Sequence, residues 1–284
     1  MGTCRRLHAM KYTPILATVL ALLVLTFSVQ TQAGELDALA NSTQMIAVTT
    51  SDWNAVQGRL QRYERATTRE PWHAVGEPFS IVVGKSGLGW GIGVVATDAP
   101  NVRVAPESNP APVSGPIKHE GDGRGPAGIF TLGTAFGDAA QPMPGLKLPY
   151  LELTPSIECV DDSSSKHYNR IVDRTTVSPD WKSSEHMREI GEAYRWGIVV
   201  NLNGTVPGGS APTPDAGSCV FLHIWHSSSQ GTAGCTAMPQ ADLESLLTWL
   251  DPARNPRLVQ LPRQTYERLA GPWKLPKLPG VPAR

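Results

Sequence analysis

Short apolar runs, each closed off by glycine, proline or a polar turn, most limit what this chain can fold into. Gly197-Ile-Val-Val-Asn-Leu202 and Cys219-Val-Phe-Leu-His-Ile-Trp225 are the clearest of them, continuous or alternating in apolar residues as strands are. Residues 78–83, 129–132, 150–153 and 257–261 extend the series. With 27 glycines and 25 prolines among 284 residues, turns are frequent and long helices have little room. Three helical segments are still expected. Within residues 35–69, Trp53, Val56, Leu60 and Tyr63 stand at helical spacing and Glu70-Pro71 forms a stop. A second segment covers 183–194 with Ser184 as N-cap. The third opens at Pro239 and carries Leu243, Leu246, Leu247 and Leu250 as an apolar stripe. The fold class that follows is mainly β, with a few short peripheral α-helices.

Residues 1–33 read as a signal peptide. Arg5, Arg6 and Lys11 precede the apolar run from Ile15 to Val29, and Thr31-Gln32-Ala33 supplies small residues for cleavage. No cysteine follows that site to carry a lipid, and no later stretch is apolar and long enough to span a bilayer. The expected product is exported, without stable membrane insertion after cleavage. The remaining chain divides into a helical lead-in over 34–75, a main domain over 76–265 and a Pro-rich tail over 266–284. Net charge is zero with basic residues scattered, so nucleic acid is not an expected partner. Gly84-Lys-Ser lacks the upstream glycine of a phosphate-binding loop and is followed by more glycines where a helix should start. A glycine-rich hairpin is the expectation there, and Asp98–Pro116 reads as a surface loop. No cofactor and no metal are expected, and the oligomeric state is left open.

The richest chemistry lies between His223 and Cys235. Residues two apart share a face of a strand, so Cys219, Phe221, His223 and Trp225 line one side while Val220, Leu222 and Ile224 line the other. A thiol needs a nearby base to act as a nucleophile at neutral pH, and imidazole suits that task. Gly231-Thr-Ala-Gly234 is a turn of small residues that delivers Cys235. Its amides, at Thr232, Ala233 and Gly234, are candidates for stabilising an oxyanion. A buried structural histidine and a zinc site from His223, His226 and Cys235 are the alternatives, the latter short of a fourth ligand. Of the three cysteines left after export, Cys159 and Cys219 either bridge, leaving Cys235 free, or all three stay reduced.

The stretch from Phe221-Leu-His223 to Gly231-Thr-Ala-Gly-Cys-Thr236 resembles the active-site motif of the L,D-transpeptidase catalytic domain, the YkuD-like family. Lys118-His-Glu-Gly-Asp-Gly-Arg-Gly-Pro-Ala-Gly-Ile-Phe130 is similar to the element preceding that site. Glu158-Cys-Val-Asp-Asp162, Tyr168-Asn169 and the segment from Asp180-Trp181 to Met187 look like parts of one subgroup. The resemblance implies a β-sandwich and a cysteine acyltransferase acting on peptidoglycan stem peptides in the periplasm or cell wall. Cys235 would be the nucleophile and His223 its base, with a thioester resolved by a second stem's amine. Resolution by water would make the same site a carboxypeptidase or a crosslink-cleaving hydrolase, and loss of chemistry a wall-binding domain. Many members carry Arg two residues after the cysteine, where this chain has Ala237. Arg124, His226 and Trp225 are the candidate substrate contacts in its place. Asp161-Asp162 reads as a turn, and Lys118 with Glu120 as a solvated or structural pair.

Overall fold

A computed structural model describes residues 1–2, 38–94, 114–204 and 211–279. Residues 3–33 of the signal segment, and residues 98–113 of the expected surface loop, lie outside the described residues. Four strands come first: β1 (Gln44–Thr50), β2 (Gln57–Glu64), β3 (His73–Val82) and β4 (Leu88–Trp90). The long β5 (Gly125–Gly137) and the short β6 (Tyr150–Glu152) follow, then β7 (Ile157–Val160), β8 (Ile171–Asp173) and β9 (Ser184–His186). A 3-10 helix over Met187–Tyr194 leads into β10 (Trp196–Val200), β11 (Phe221–Ile224) and β12 (Thr236–Met238). Helix α1 (Gln240–Trp249), a 3-10 turn at Pro252–Arg254, β13 (Arg257–Pro262) and α2 (Arg263–Leu269) complete the described chain.

The chain is mainly β, as expected. In the main sheet the order is β10-β11-β12-β3-β2-β1-β13-β5, and β10 also pairs with β5, so the path closes on itself. That closure makes a barrel, and the expected sandwich is met in its β content but not in its layering. Closing the ring removes free edges that would otherwise need covering. A separate three-stranded sheet, β8-β7-β9, carries the segment around Cys159.

Several local expectations are corrected. No helix forms within the described part of 35–69, because Gln44–Thr50 and Gln57–Glu64 are paired antiparallel strands of the barrel. β1 is buried throughout its Met45–Val48 stretch, which means both of its faces are covered. Leu60 and Tyr63 are both buried at an odd spacing along β2, so they lie on opposite faces. The Tyr63 hydroxyl donates to the Lys277 carbonyl at 3.1 Å, so the C-terminal segment meets that strand. A strand covered on both sides thus imitates a helical stripe. The proposed boundary between residues 75 and 76 falls inside β3, and the one between 265 and 266 falls inside α2. Tyr266 of α2 is buried, so the tail opens with a packed helix. The glycine-rich stretch after β3 is not a hairpin: β4 pairs with β5 in parallel. Residues 183–194 divide into β9 and the 3-10 helix, whose path breaks at Gly191 (φ 71°, ψ −135°).

Two apolar clusters fill the domain. The larger gathers Leu222 and Ile224 of β11, Met238 of β12 and all four leucines of the α1 stripe, each of the four fully buried. The smaller joins Phe136, Tyr194, Val199, Phe221, Cys219 and Cys235 with Ile157, Cys159 and Met187. β10 and β11 therefore have one face in each cluster, with the three-stranded sheet and the 3-10 helix covering the second.

Candidate active site

β11 and β12 are parallel neighbours, with Leu222 opposite Thr236 and His223 opposite Ala237. Parallel partners at the same level point the same way, so one step back along both strands sets Cys235 beside Phe221, on the face that carries His223. The Phe221 N–H donates to Cys235 Sγ at 3.3 Å, and the thiol reaches the Cys219 carbonyl at 3.6 Å. The expected alternation holds, since Phe221 and Cys219 belong to the Cys235 cluster and Val220, Leu222 and Ile224 to the other.

His223 is buried, and its Nδ1 lies 2.8 Å from the Ile224 carbonyl. A carbonyl only accepts, so Nδ1 carries the proton and Nε2 keeps its lone pair. Burial holds the imidazole neutral, with its pKa pushed down to about 4, and His226 adds a smaller push in the same direction. Cys235 is the free cysteine among the described residues, and it is buried. Burial first, then the Glu185 carboxylate, pushes its thiol up to about 12. The Phe221 N–H, the Lys118 ammonium and the Tyr194 hydroxyl pull the other way. The resting pair is thus neutral thiol and neutral imidazole, not an ion pair.

Tyr194 packs against His223 and belongs to the Cys235 cluster. Its ring is edge-on to His223, centroids 5.3 Å apart, and also to Phe221 at 5.5 Å and Phe136 at 5.3 Å. Its hydroxyl donates to Glu185 Oε2 at 2.9 Å. Neither Tyr194 nor Glu185 stood out in the sequence. The signal that could have found them is register: Glu185 lies opposite Cys159 in the β7–β9 pairing, and Cys159 bridges to Cys219 beside the thiol. That disulfide resolves the cysteine alternatives in favour of a bridge with Cys235 left free.

The turn before Cys235 is locked from several sides. Thr232 exchanges backbone bonds with the segment after β3, its N–H to the Val83 carbonyl at 3.0 Å and its carbonyl from Lys85 N–H at 2.8 Å. Its Oγ1 donates to the Cys235 carbonyl at 2.6 Å and accepts from Gly234 N–H at 3.1 Å. Of the three proposed oxyanion donors, Thr232 and Gly234 therefore already spend their amides inside the fold. A Cβ on Gly84 would lie 2.3 Å from the Gly123 carbonyl oxygen and 2.6 Å from Gly125 N. Glycine at 84 is thus what lets this segment sit between the Gly123–Gly125 backbone and the Cys235 turn.

Arg124 does not reach the thiol. Its guanidinium donates to the carbonyls of Trp53 and Leu88, at 3.1 and 2.8 Å, and to Asn54 Oδ1 at 3.1 Å. Lys118 is the cation that does act there. It is buried, its Nζ bonded to Asp122 Oδ1 at 3.1 Å, which corrects the solvated reading of this residue. Glu120 is structural, accepting from Tyr168 and Ser218 hydroxyls at 2.6 and 2.7 Å. Trp225 is half-buried and His226 exposed, just past the end of β11. Asp162 forms the expected turn, accepting from Ser164 N–H at 2.9 Å and Lys182 N–H at 2.8 Å. Among the described residues no cluster of three or more His, Cys, Asp or Glu side chains has a metal-binding arrangement. Nor does any described helix have the length and apolarity to cross a membrane. Comparison with protein families, with curated proteins and with solved structures finds no match to this chain.

Proposed function

We propose that this protein is an exported cysteine L,D-transpeptidase that modifies peptidoglycan in the periplasm or cell wall. The observation that carries the reading is the pairing of a buried free thiol, Cys235, with a histidine on the neighbouring strand whose Nδ1 proton is held by the Ile224 carbonyl. A base with one nitrogen fixed by a third group is the arrangement nucleophilic catalysis uses. The YkuD-like identity of the scaffold is part of the same proposal. Its support is the motif residues on β5, β7, β11 and β12.

In this reading the Cys235 sulfur attacks the stem-peptide carbonyl that precedes the terminal D-amino acid. A thioester forms, the C–N bond breaks and the D-amino acid leaves with a proton on its nitrogen. His223 Nε2 mediates that proton movement. The amides of Ala233 and Cys235, on either side of Gly234, take the oxyanion. An acceptor stem's amine then attacks the thioester and releases the thiol. Because thiol and imidazole both rest neutral, proton transfer accompanies attack instead of preceding it. With Ala237 where an arginine is frequent in such enzymes, Lys118 supplies the local positive field.

The test is incubation of the protein, freed of residues 1–33, with a disaccharide tetrapeptide, the products read by mass spectrometry beside Cys235→Ala. Cys235-dependent dimers establish transpeptidation. Tripeptide alone assigns a carboxypeptidase, and no Cys235-dependent product refutes both.

A further inference from the structure

The structure assigns a second binding site, for a small anionic ligand bearing a carboxylate or phosphate group, to the outer face of the three-stranded sheet. The site is separate from Cys235 and does not rest on the transpeptidase reading.

Successive residues of a strand point to opposite faces, and residues opposite each other in a pair share one. Cys159 of β7 is paired with Glu185 of β9, and Cys159 belongs to the cluster around Cys235. Glu158, paired with His186, therefore points away from the thiol. On that outer side lies an open cleft of about 380 Å³, whose lining includes Glu158, Arg174, Trp181, Lys182, Ser184 and His186. Its volume is in the range of small-molecule sites.

Glu158 is almost wholly buried, 1% exposed. Its Oε1 accepts from Arg174 Nη1 at 2.9 Å and has His186 Nδ1 at 3.4 Å. Its Oε2 accepts from Trp181 Nε1 at 3.0 Å and Ser184 Oγ at 2.7 Å. With two contacts on each oxygen the carboxylate is occupied by its own neighbours, and its effect is to fix the side chains around the cleft, as a binding site requires. What those side chains leave over are donors. Among the described residues, Nη1 is the one guanidinium nitrogen of Arg174 that is bonded, and neither His186 Nε2 nor Lys182 Nζ is hydrogen-bonded. Arg174 and Lys182 bring two positive charges, and His186 a third when protonated, against the one charge of Glu158. Asp162 accepts from the Lys182 backbone N–H at 2.8 Å but does not line the cleft. An excess of positive charge with unbonded donors matches an anion, and a guanidinium suits the oxygens of a carboxylate or phosphate in particular. The half-buried Trp181 supplies an apolar wall for the rest of such a ligand.

The Trp181 indole N–H signal in a two-dimensional NMR spectrum, assigned with Trp181→Phe, reports on the site directly. The protein freed of residues 1–33 is titrated at low salt with inorganic phosphate and, separately, with benzoate. Either probe should shift that signal saturably; phosphate alone makes the ligand a phosphate, and benzoate alone a carboxylate. Arg174→Gln should weaken the binding at least about tenfold, the scale of one lost charge-assisted hydrogen bond. Lys182→Gln, which leaves the bonds to Glu158 in place, should weaken it about two- to fivefold. Near-ultraviolet circular dichroism checks the fold of each variant, and Lys182→Gln decides the matter if Arg174→Gln does not fold. Cys235→Ala should bind as the unsubstituted protein does. No saturable shift with either probe at millimolar concentration, an affinity unchanged in Lys182→Gln or in folded Arg174→Gln, or a loss of binding in Cys235→Ala would each overturn the site. None of these readouts involves acyl transfer, so failure of the transpeptidase reading would show separately.

Discussion

Replacing both Cys159 and Cys219 with alanine, in a Cys235→Ser background so that no thiol can reshuffle, should destabilise the domain by about 4 kcal/mol. The bridge joins β7 to the residues just before β11 across a sequence separation of 60. In the loop-closure description, a cross-link over about 60 residues removes roughly 14 cal/mol/K from the unfolded chain, about 4 kcal/mol at room temperature. Both sulfurs lie in the cluster that covers Cys235. In a domain of this size the loss corresponds to a melting temperature lower by roughly 8–16 °C. Urea unfolding followed by tryptophan fluorescence, without reductant, measures it directly. A difference under about 1 kcal/mol would refute the argument, because it would mean that the unfolded chain keeps these two segments together unaided.

Other expectations are local. Thr236 Oγ1 donates to Gln260 Oε1 at 2.7 Å with both residues buried; Thr236→Val leaves that oxygen unpaired and should cost about 1–3 kcal/mol in urea melts. Gly84→Ala sets a methyl against the Gly123 and Gly125 backbone, and should cost about 1–3 kcal/mol and slow Cys235 labelling by displacing the turn. The half-buried Glu185 and the buried His223 should oppose each other in the pH dependence of stability. Glu185, raised from 4.5 to about 7, contributes stability that is full below pH 4.5 and lost as pH rises through about 7, whereas His223, lowered from 6.5 to about 4, contributes stability present above 6.5 and lost as pH falls through about 4. Glu185→Gln should therefore leave stability rising from pH 4.5 to 6.5, and His223→Gln should leave it falling, each by up to about 3 kcal/mol, as read from urea midpoints at those two pH values.

The face of β11 was legible because alternation is a property of one strand alone. Phe221 and His223 on one side and Leu222 and Ile224 on the other follow from period two, and α1 follows from its leucine stripe. β2 was not legible, because Leu60 and Tyr63 are buried on opposite faces and a spacing of three reads as a helix turn. Tyr194 and Glu185 were hidden for another reason. Their contact joins the 3-10 helix to β9, and no pattern within either segment records it. Arg124 shows the reverse: its charge marked it as a candidate, but three bonds to Trp53, Leu88 and Asn54 use it to tie loops together.

The parallel pairing of β11 with β12 separates two distances that a motif joins. What sets His223 near Cys235 is the register of Leu222 against Thr236, whereas the number of residues between them is set by the connection running from Trp225 to Cys235. Ser228, Ser229 and Gln230 of that connection are exposed, and lengthening an exposed loop costs little free energy, about 0.6 kcal/mol for each doubling. This connection can thus change in length and chemistry while Cys235 and His223 stay where the barrel puts them. In the proposed transpeptidase, selectivity for the approaching peptide and the power to attack it could therefore vary independently.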